Sequence, residues 1–210
     1  MKLTDNDALA IQRAIDDTST PGQPNYGKTV FIPRGHFLLY KPLVVKKGVK
    51  LIGAGKNISV LQMAKTEWER TYGAAVQTVD DPEGKVVLSD FAVLGLSLSS
   101  YLEVRSGKSL VCDLVTESGY YIGPQNSVPD KPYVLFAGHA SGRVYHISLD
   151  HIAHDRLPSG PGQDQSYPGY HLLQIRDTPG PLALYQVSIE HLPSSPQMDI
   201  SQCQNVTVYG

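Results

Sequence analysis

The 210 residues, 41% of them hydrophobic, suffice for one domain or one elongated solenoid with a sizeable core. Lysine plus arginine (18) nearly balance aspartate plus glutamate (20), and no basic run exceeds Lys46-Lys47, so the charge pattern of a nucleic-acid or anionic-membrane binder is lacking. The most apolar stretch, DFAVLGLSLSSYL at 90–102, is broken by Gly95 and falls far short of the ~20 residues of a membrane span, so the chain reads as soluble.

The opening MKLTDND carries no apolar signal-peptide core. In TDNDALAIQRAIDD, Ala8, Ile11 and Ile15 recur at helical spacing, Thr4 or Asp5 can cap the first turn, and TSTPG stops the run. The spacing predicts one amphipathic helix over 1–18. Beyond it, Gly and Pro cut the sequence into apolar pieces of four to eight residues, rich in Val, Ile and Leu, which read as many short strands. GAG at 53–55 lacks the helix and lysine of a phosphate-binding loop, which argues against nucleotide binding. Cys112 and Cys203 show no metal-ligand spacing and read as two free thiols, and neither a metal nor a cofactor is expected.

An internal repeat organises the rest. VYHISLDHI (144–152) and LYQVSIEHL (184–192) agree position by position at an offset of 40 residues, and the shorter apolar cores VKL at 49, FAV at 91 and VTV at 206 belong to the same series. A strand unit that returns after about 20 residues, or after that plus an inserted loop, is what a coil adding one parallel rung per circuit produces. The expected fold is all-β: a right-handed parallel β-helix over 1–210, with the N-terminal helix covering the first rung. Ile147, Leu149, Val187, Ile189, Val206 and Val208 should point inward and stack from rung to rung. The strand-like ending NVTVYG has no such helix, so more of the same protein, a further domain or a second chain is expected over the last rung.

DALAIQRAIDD, TVFIPRGHFLLYKPLVV and GVKLIGAG, in that order over about the first 60 residues, resemble the opening of the pectate-lyase-like superfamily of right-handed β-helices. His36-Phe37 departs from the residue and Tyr more usual there. The C-terminal PLALYQVSIEHLPSSPQMDISQCQNVTVYG resembles, more loosely, the rungs of β-helical exo-β-1,3-glucanases. The resemblance implies a secreted, extracellular protein that processes a polysaccharide or oligosaccharide. It does not select a reaction, because fold alone does not determine chemistry. The pectate lyases' aspartate cluster and the polygalacturonases' N-T-D…D-D…G-H-G set are missing as intact motifs, with GHASG at 138–142 a partial echo.

Strand alternation turns HISLDHIAHDR (146–156) into a candidate site. With Ile147 and Leu149 inward, His146, Ser148 and Asp150 should line the outer wall, and by the repeat Glu190 should share a column with Asp150. Two carboxylates on one wall are what glycoside hydrolysis needs, so Asp150 and Glu190 are the candidate catalytic pair, in a hydrolase first and a lyase second. Candidate substrate-binding residues are His146, His151, His154, Arg156 and His191, with Tyr167, Tyr170 and Trp68 as rings against sugar; Tyr120, Tyr121 and Tyr133 are further candidate rings. Six of seven histidines follow residue 138. The same residues also describe a solvated outer face, and a non-catalytic carbohydrate-binding or tailspike-like module is the alternative. Forty residues could be two rungs, or one rung carrying the excursion at 155–171.

Overall fold

The computed structural model describes residues 6–64, 73–95, 100–118, 132–150, 171–190 and 198–210. After helix α1 (Asn6–Ser19), the first circuit comprises β1 (Thr29–Ile32), β2 (Gly35–Leu39) and β3 (Leu43–Val45). The second comprises β4 (Lys50–Gly53), β5 (Ser59–Met63) and β6 (Val76–Thr78); the third β7 (Val87–Ser89), β8 (Ala92–Gly95) and β9 (Leu102–Val104). The fourth holds β10 (Ser109–Cys112), β11 (Val115–Ser118) and β12 (Val134–Phe136), and the fifth β13 (Gly142–Tyr145), β14 (Ser148–Asp150) and β15 (Leu173–Arg176). A sixth circuit, β16 (Leu182–Tyr185), β17 (Ser188–Glu190) and β18 (Met198–Ser201), leads into β19 (Val206–Tyr209).

Every third strand joins the same sheet. Sheet A runs β1-β4-β7-β10-β13-β16-β19, sheet B runs β2-β5-β8-β11-β14-β17, and sheet C runs β3-β6-β9-β12-β15-β18. Neighbours pair in parallel throughout, as in β13 with β16 and β14 with β17. The protein is a three-sheet, right-handed parallel β-helix, the hand that parallel crossovers adopt.

Register stacks like on like inside. On sheet A one inward column reads Val30, Leu51, Leu88, Val111, Val144, Leu184, Val208. On sheet B the equivalent column reads Phe37, Leu61, Val93, Thr116, Leu149, Ile189, and on sheet C Leu43, Val76, Leu102, Val134, Leu173, Met198. No single circuit could bury such a face alone. Stacked, most of these side chains are removed from solvent, each worth roughly 1.5–3 kcal/mol. Ile147 and Leu149 are buried as the alternation requires, and Val208, on the last strand, is 41% exposed.

The helix covers the first circuit by a specific device. Ala8 and Ile15 are buried against the β-helix, while Gln12 accepts from Val44 N (2.8 Å) and donates to Val44 O (3.2 Å), replacing the strand that β3 lacks on that side. Asp7 accepts from Leu38 N in β2, and Asp16 pairs with Lys46 at 2.7 Å. The helix is observed from residue 6 to 19, and its expected caps Thr4 and Asp5 lie outside the described residues.

Three expectations are corrected. VKL and VTV belong to sheet A whereas FAV belongs to sheet B, so they are not copies of one strand; what repeats in the nonapeptides is the end of a sheet A strand, a corner and a sheet B strand. His146 is a corner residue with φ 51°, like Asp90, Asp113 and Gln186 in the equivalent turns, rather than part of the flat strand wall. Tyr133 lines no loop surface: it is fully buried and stacks on Tyr101 with ring centroids 4.3 Å apart. The offset of 40 residues is one circuit, because β14 pairs directly with β17 and the added length falls between β14 and β15.

Candidate functional site

The outer face of sheet B carries the column expected from the repeat, with one acid more. Glu117, Asp150 and Glu190 are register partners on β11, β14 and β17. Below them the same column continues as Leu94, Gln62 and Leu38, so the carboxylates occupy its C-terminal half. Each is outward because the residue before it, Thr116, Leu149 or Ile189, faces the interior.

Adjacent parallel strands lie ~4.8 Å apart, so consecutive members of the column bring two like charges close. The consequence falls on Glu117. Burial, and then the charge of Asp150, push its carboxyl above the usual glutamate range. Glu190 is exposed and accepts from Ser188 Oγ at 2.8 Å, a same-face neighbour two residues away. Behind Glu117, the Thr116 hydroxyl is buried without a hydrogen-bond partner.

Of the other sequence-derived candidates, His146 faces Asp113 of the preceding circuit, Nδ1 to Oδ1 at 3.4 Å, at the corner before β14. His151, His154, Arg156, His191, Tyr167, Tyr170 and Trp68, like Tyr120 and Tyr121, lie outside the described residues. Cys112 and Cys203 are both free, and Cys203 Sγ lies 3.0 Å from Ser201 O. Among the described residues no group of three or more His, Cys, Asp or Glu is arranged to hold a metal ion, and no helix is long and apolar enough to cross a membrane.

A second polar cluster joins the turns from sheet C to sheet A. Asp80 accepts from both His139 N (3.1 Å) and His139 Nδ1 (2.8 Å), although the two residues are two circuits apart. Burial acts to raise the Asp80 carboxyl, but the bonds from His139 outweigh it and hold the group below its usual range. Gly138 makes the approach possible: it has φ 60°, and a Cβ there would lie 2.6 Å from Asp80 Oδ2. Nearby, Arg105 donates to Glu103 at 2.6 Å, and Lys108 to Glu83 at 2.7 Å.

Glu117 and Asp80 were both missed by sequence reasoning. LVTE at 114–117 matches ISLD at 147–150 only when Thr116 is allowed the place of the inward aliphatic residue, and the pairing of Asp80 with His139 needs the circuits counted first.

The three stacked parallel sheets define a right-handed parallel β-helix, a fold that resembles the pectate-lyase/epimerase superfamily. Residues 3–85 match the family model described as rhamnogalacturonase A/epimerase, pectate lyase-like, and the chain is similar to that family over α1 and the first two circuits. The match ends at residue 85, before the third circuit. No curated protein and no solved structure matches the chain.

Proposed function

We propose that the protein is a carbohydrate-active β-helix that hydrolyses a polysaccharide or oligosaccharide on its sheet B wall. Glu117 acts as general acid and base and Asp150 as nucleophile. The observation that carries the reading is the pairing of Glu117, whose carboxyl burial and the neighbouring charge push above the usual glutamate range, with Asp150 on the next strand. A carboxyl raised in this way is suited to donate a proton, and a second acid on the adjacent strand is placed to attack. Glu117 gives its proton to the leaving glycosidic oxygen while Asp150 attacks the anomeric carbon. Glu117, now ionised, takes a proton from the water that cleaves the glycosyl-enzyme. The ~4.8 Å strand spacing suits this retaining route, which works at roughly 5 Å, better than the inverting route at ~6.5–9.5 Å. Glu190 extends the column by one strand and holds a sugar hydroxyl or a third charge.

Reducing-sugar release from a panel of β-glucans and polyuronates tests the proposal. Glu117→Gln and Asp150→Asn each lower turnover on the order of 10²–10⁴-fold, with Glu190→Gln costing less. Undiminished turnover in both removes this pair from the mechanism. Saturable oligosaccharide binding by the wild type without product would instead make the protein a binding module.

A further inference from the structure

The corner from sheet A to sheet B takes two residues in the first circuit (33–34) and again at 90–91, 113–114, 146–147 and 186–187, but five residues, 54–58, in the second circuit. The longer corner is closed by its own backbone, with Ile58 N and Ser59 N both donating to Gly55 O (2.9 and 3.0 Å), and Asn57 stands exposed on it. Among the described residues no hydrogen bond holds the Asn57 amide. Asn57 opens the triplet Asn57-Ile58-Ser59. A second triplet of the same form, Asn205-Val206-Thr207, lies where the chain turns from sheet C into β19, and both Asn205 and Thr207 are exposed. Asn-x-Ser/Thr with a middle residue other than Pro is the acceptor pattern for an N-linked glycan.

Each triplet adjoins apolar surface that the fold leaves open. Ile58 is 46% exposed, and its corner rests on the first circuit through Gly35 N to Ile58 O (3.0 Å) and Ala54 N to Ile32 O (3.1 Å), beside Phe31, which is 60% exposed. Ile200, Val208 and Tyr209, within five residues of Asn205 on either side, are exposed as well. A glycan covers such surface with a bulky, hydrated chain. The folded structure accommodates one at each position. The Asn205 amide donates to Pro179 O at 3.3 Å, and a glycosylated amide keeps one N–H for that bond. Ser59 is fully buried, its hydroxyl donating to Ile32 O and accepting from Ala54 N, so transfer to Asn57 must precede folding. Neither attachment point obstructs the acid column: Asn57 lies two strand spacings, ~10 Å along the axis, from Glu117, and Asn205 leads into sheet A, a different wall.

We propose that Asn57 and Asn205 are N-glycosylation sites whose glycans shield the apolar surface beside them, independently of the catalytic reading of sheet B. The donor is an oligosaccharide carried on a lipid diphosphate. The amide nitrogen bonds to the anomeric carbon, the bond from that carbon to the diphosphate oxygen breaks, the lipid diphosphate leaves with the electron pair, and the amide gives up one proton to the transferring enzyme. The whole chain, behind a cleavable secretory leader, is translated into eukaryotic microsomes, and the protease-protected product is sized before and after a glycan-removing amidase. The wild type carries two glycans, Asn57→Gln and Asn205→Gln one each, and the double variant none; the amidase leaves aspartate at both positions, read by peptide mass. A protected wild-type chain with either position empty, or a glycan that survives in the double variant, would overturn the assignment. Removing the glycans from the folded protein raises its binding of a hydrophobic dye about twofold or more, and unchanged dye binding would overturn the shielding.

Discussion

Sheet B and sheet A present opposite chemistry on the same scaffold. On the last three strands of each sheet, the outward column of sheet B reads Glu117, Asp150, Glu190, while that of sheet A reads Arg143, Ala183, Thr207. The inward columns behind them, Thr116, Leu149, Ile189 and Val144, Leu184, Val208, are nearly interchangeable. Stability therefore resides in the inward side of each strand, and the outer side is free to vary because water meets it whatever the residue.

That separation can be broken deliberately. The largest effect on folding should come from Leu149→Ala, which empties a fully buried position directly behind Asp150: a loss of about 2–5 kcal/mol, read by urea unfolding. Asp150→Asn, one residue further along the strand, should leave stability within ~0.5 kcal/mol while it lowers turnover on the order of 10²–10⁴-fold. If the outward change unfolds the protein as severely as the inward one, the division between the two sides fails.

A smaller effect is expected at the capped end. Gln12→Ala leaves both the N–H and the C=O of Val44 without their side-chain partner and should cost about 1–3 kcal/mol; Gln12→Glu, which can accept from Val44 N but cannot donate to its carbonyl, should recover part of this. Equal stability of the three proteins would show that the helix covers the first circuit by apolar contact alone.

The smallest effects are those of pH. Because the Glu117 carboxyl is raised in the folded protein, the native state holds its proton more tightly than the unfolded chain does. The stability this contributes is present below the ordinary glutamate range and is lost as pH rises through the folded value. Glu117→Gln should remove that decline, gaining on the wild type toward neutral pH and matching it in acid. Asp80 is held low and behaves in the opposite sense: its contribution is present above the ordinary aspartate range and is lost as pH falls through the folded value, so Asp80→Asn should flatten the acid limb of the stability profile.

How much of this was legible in the sequence depends on which side of the strand is asked. Inward residues announce themselves, because Ile147, Leu149 and Ile189 must be apolar whatever the protein does, and the helix stood out by the period of Ala8, Ile11 and Ile15, while the role of Gln12 at its edge did not. The Asp150–Glu190 column was readable for the same reason, through the inward residues that precede each acid. Glu117 was hidden because its inward neighbour is Thr116, and His146 was assigned to the wall because alternation carries no information about where a corner begins. The outward stacking of Arg143, Ala183 and Thr207 depends on lateral register between circuits of unequal length, which the sequence does not reveal until the excursion between β14 and β15 is recognised as an insertion.

The most direct test of the paired acids is a carbon-13 NMR titration of the Glu117 carboxyl in the wild type and in Asp150→Asn. The account predicts a midpoint above that of an ordinary glutamate in the wild type, and a fall toward the ordinary value once the neighbouring charge is removed, with burial holding back the remainder. An ordinary midpoint in the wild type, or one that Asp150→Asn does not move, would contradict it.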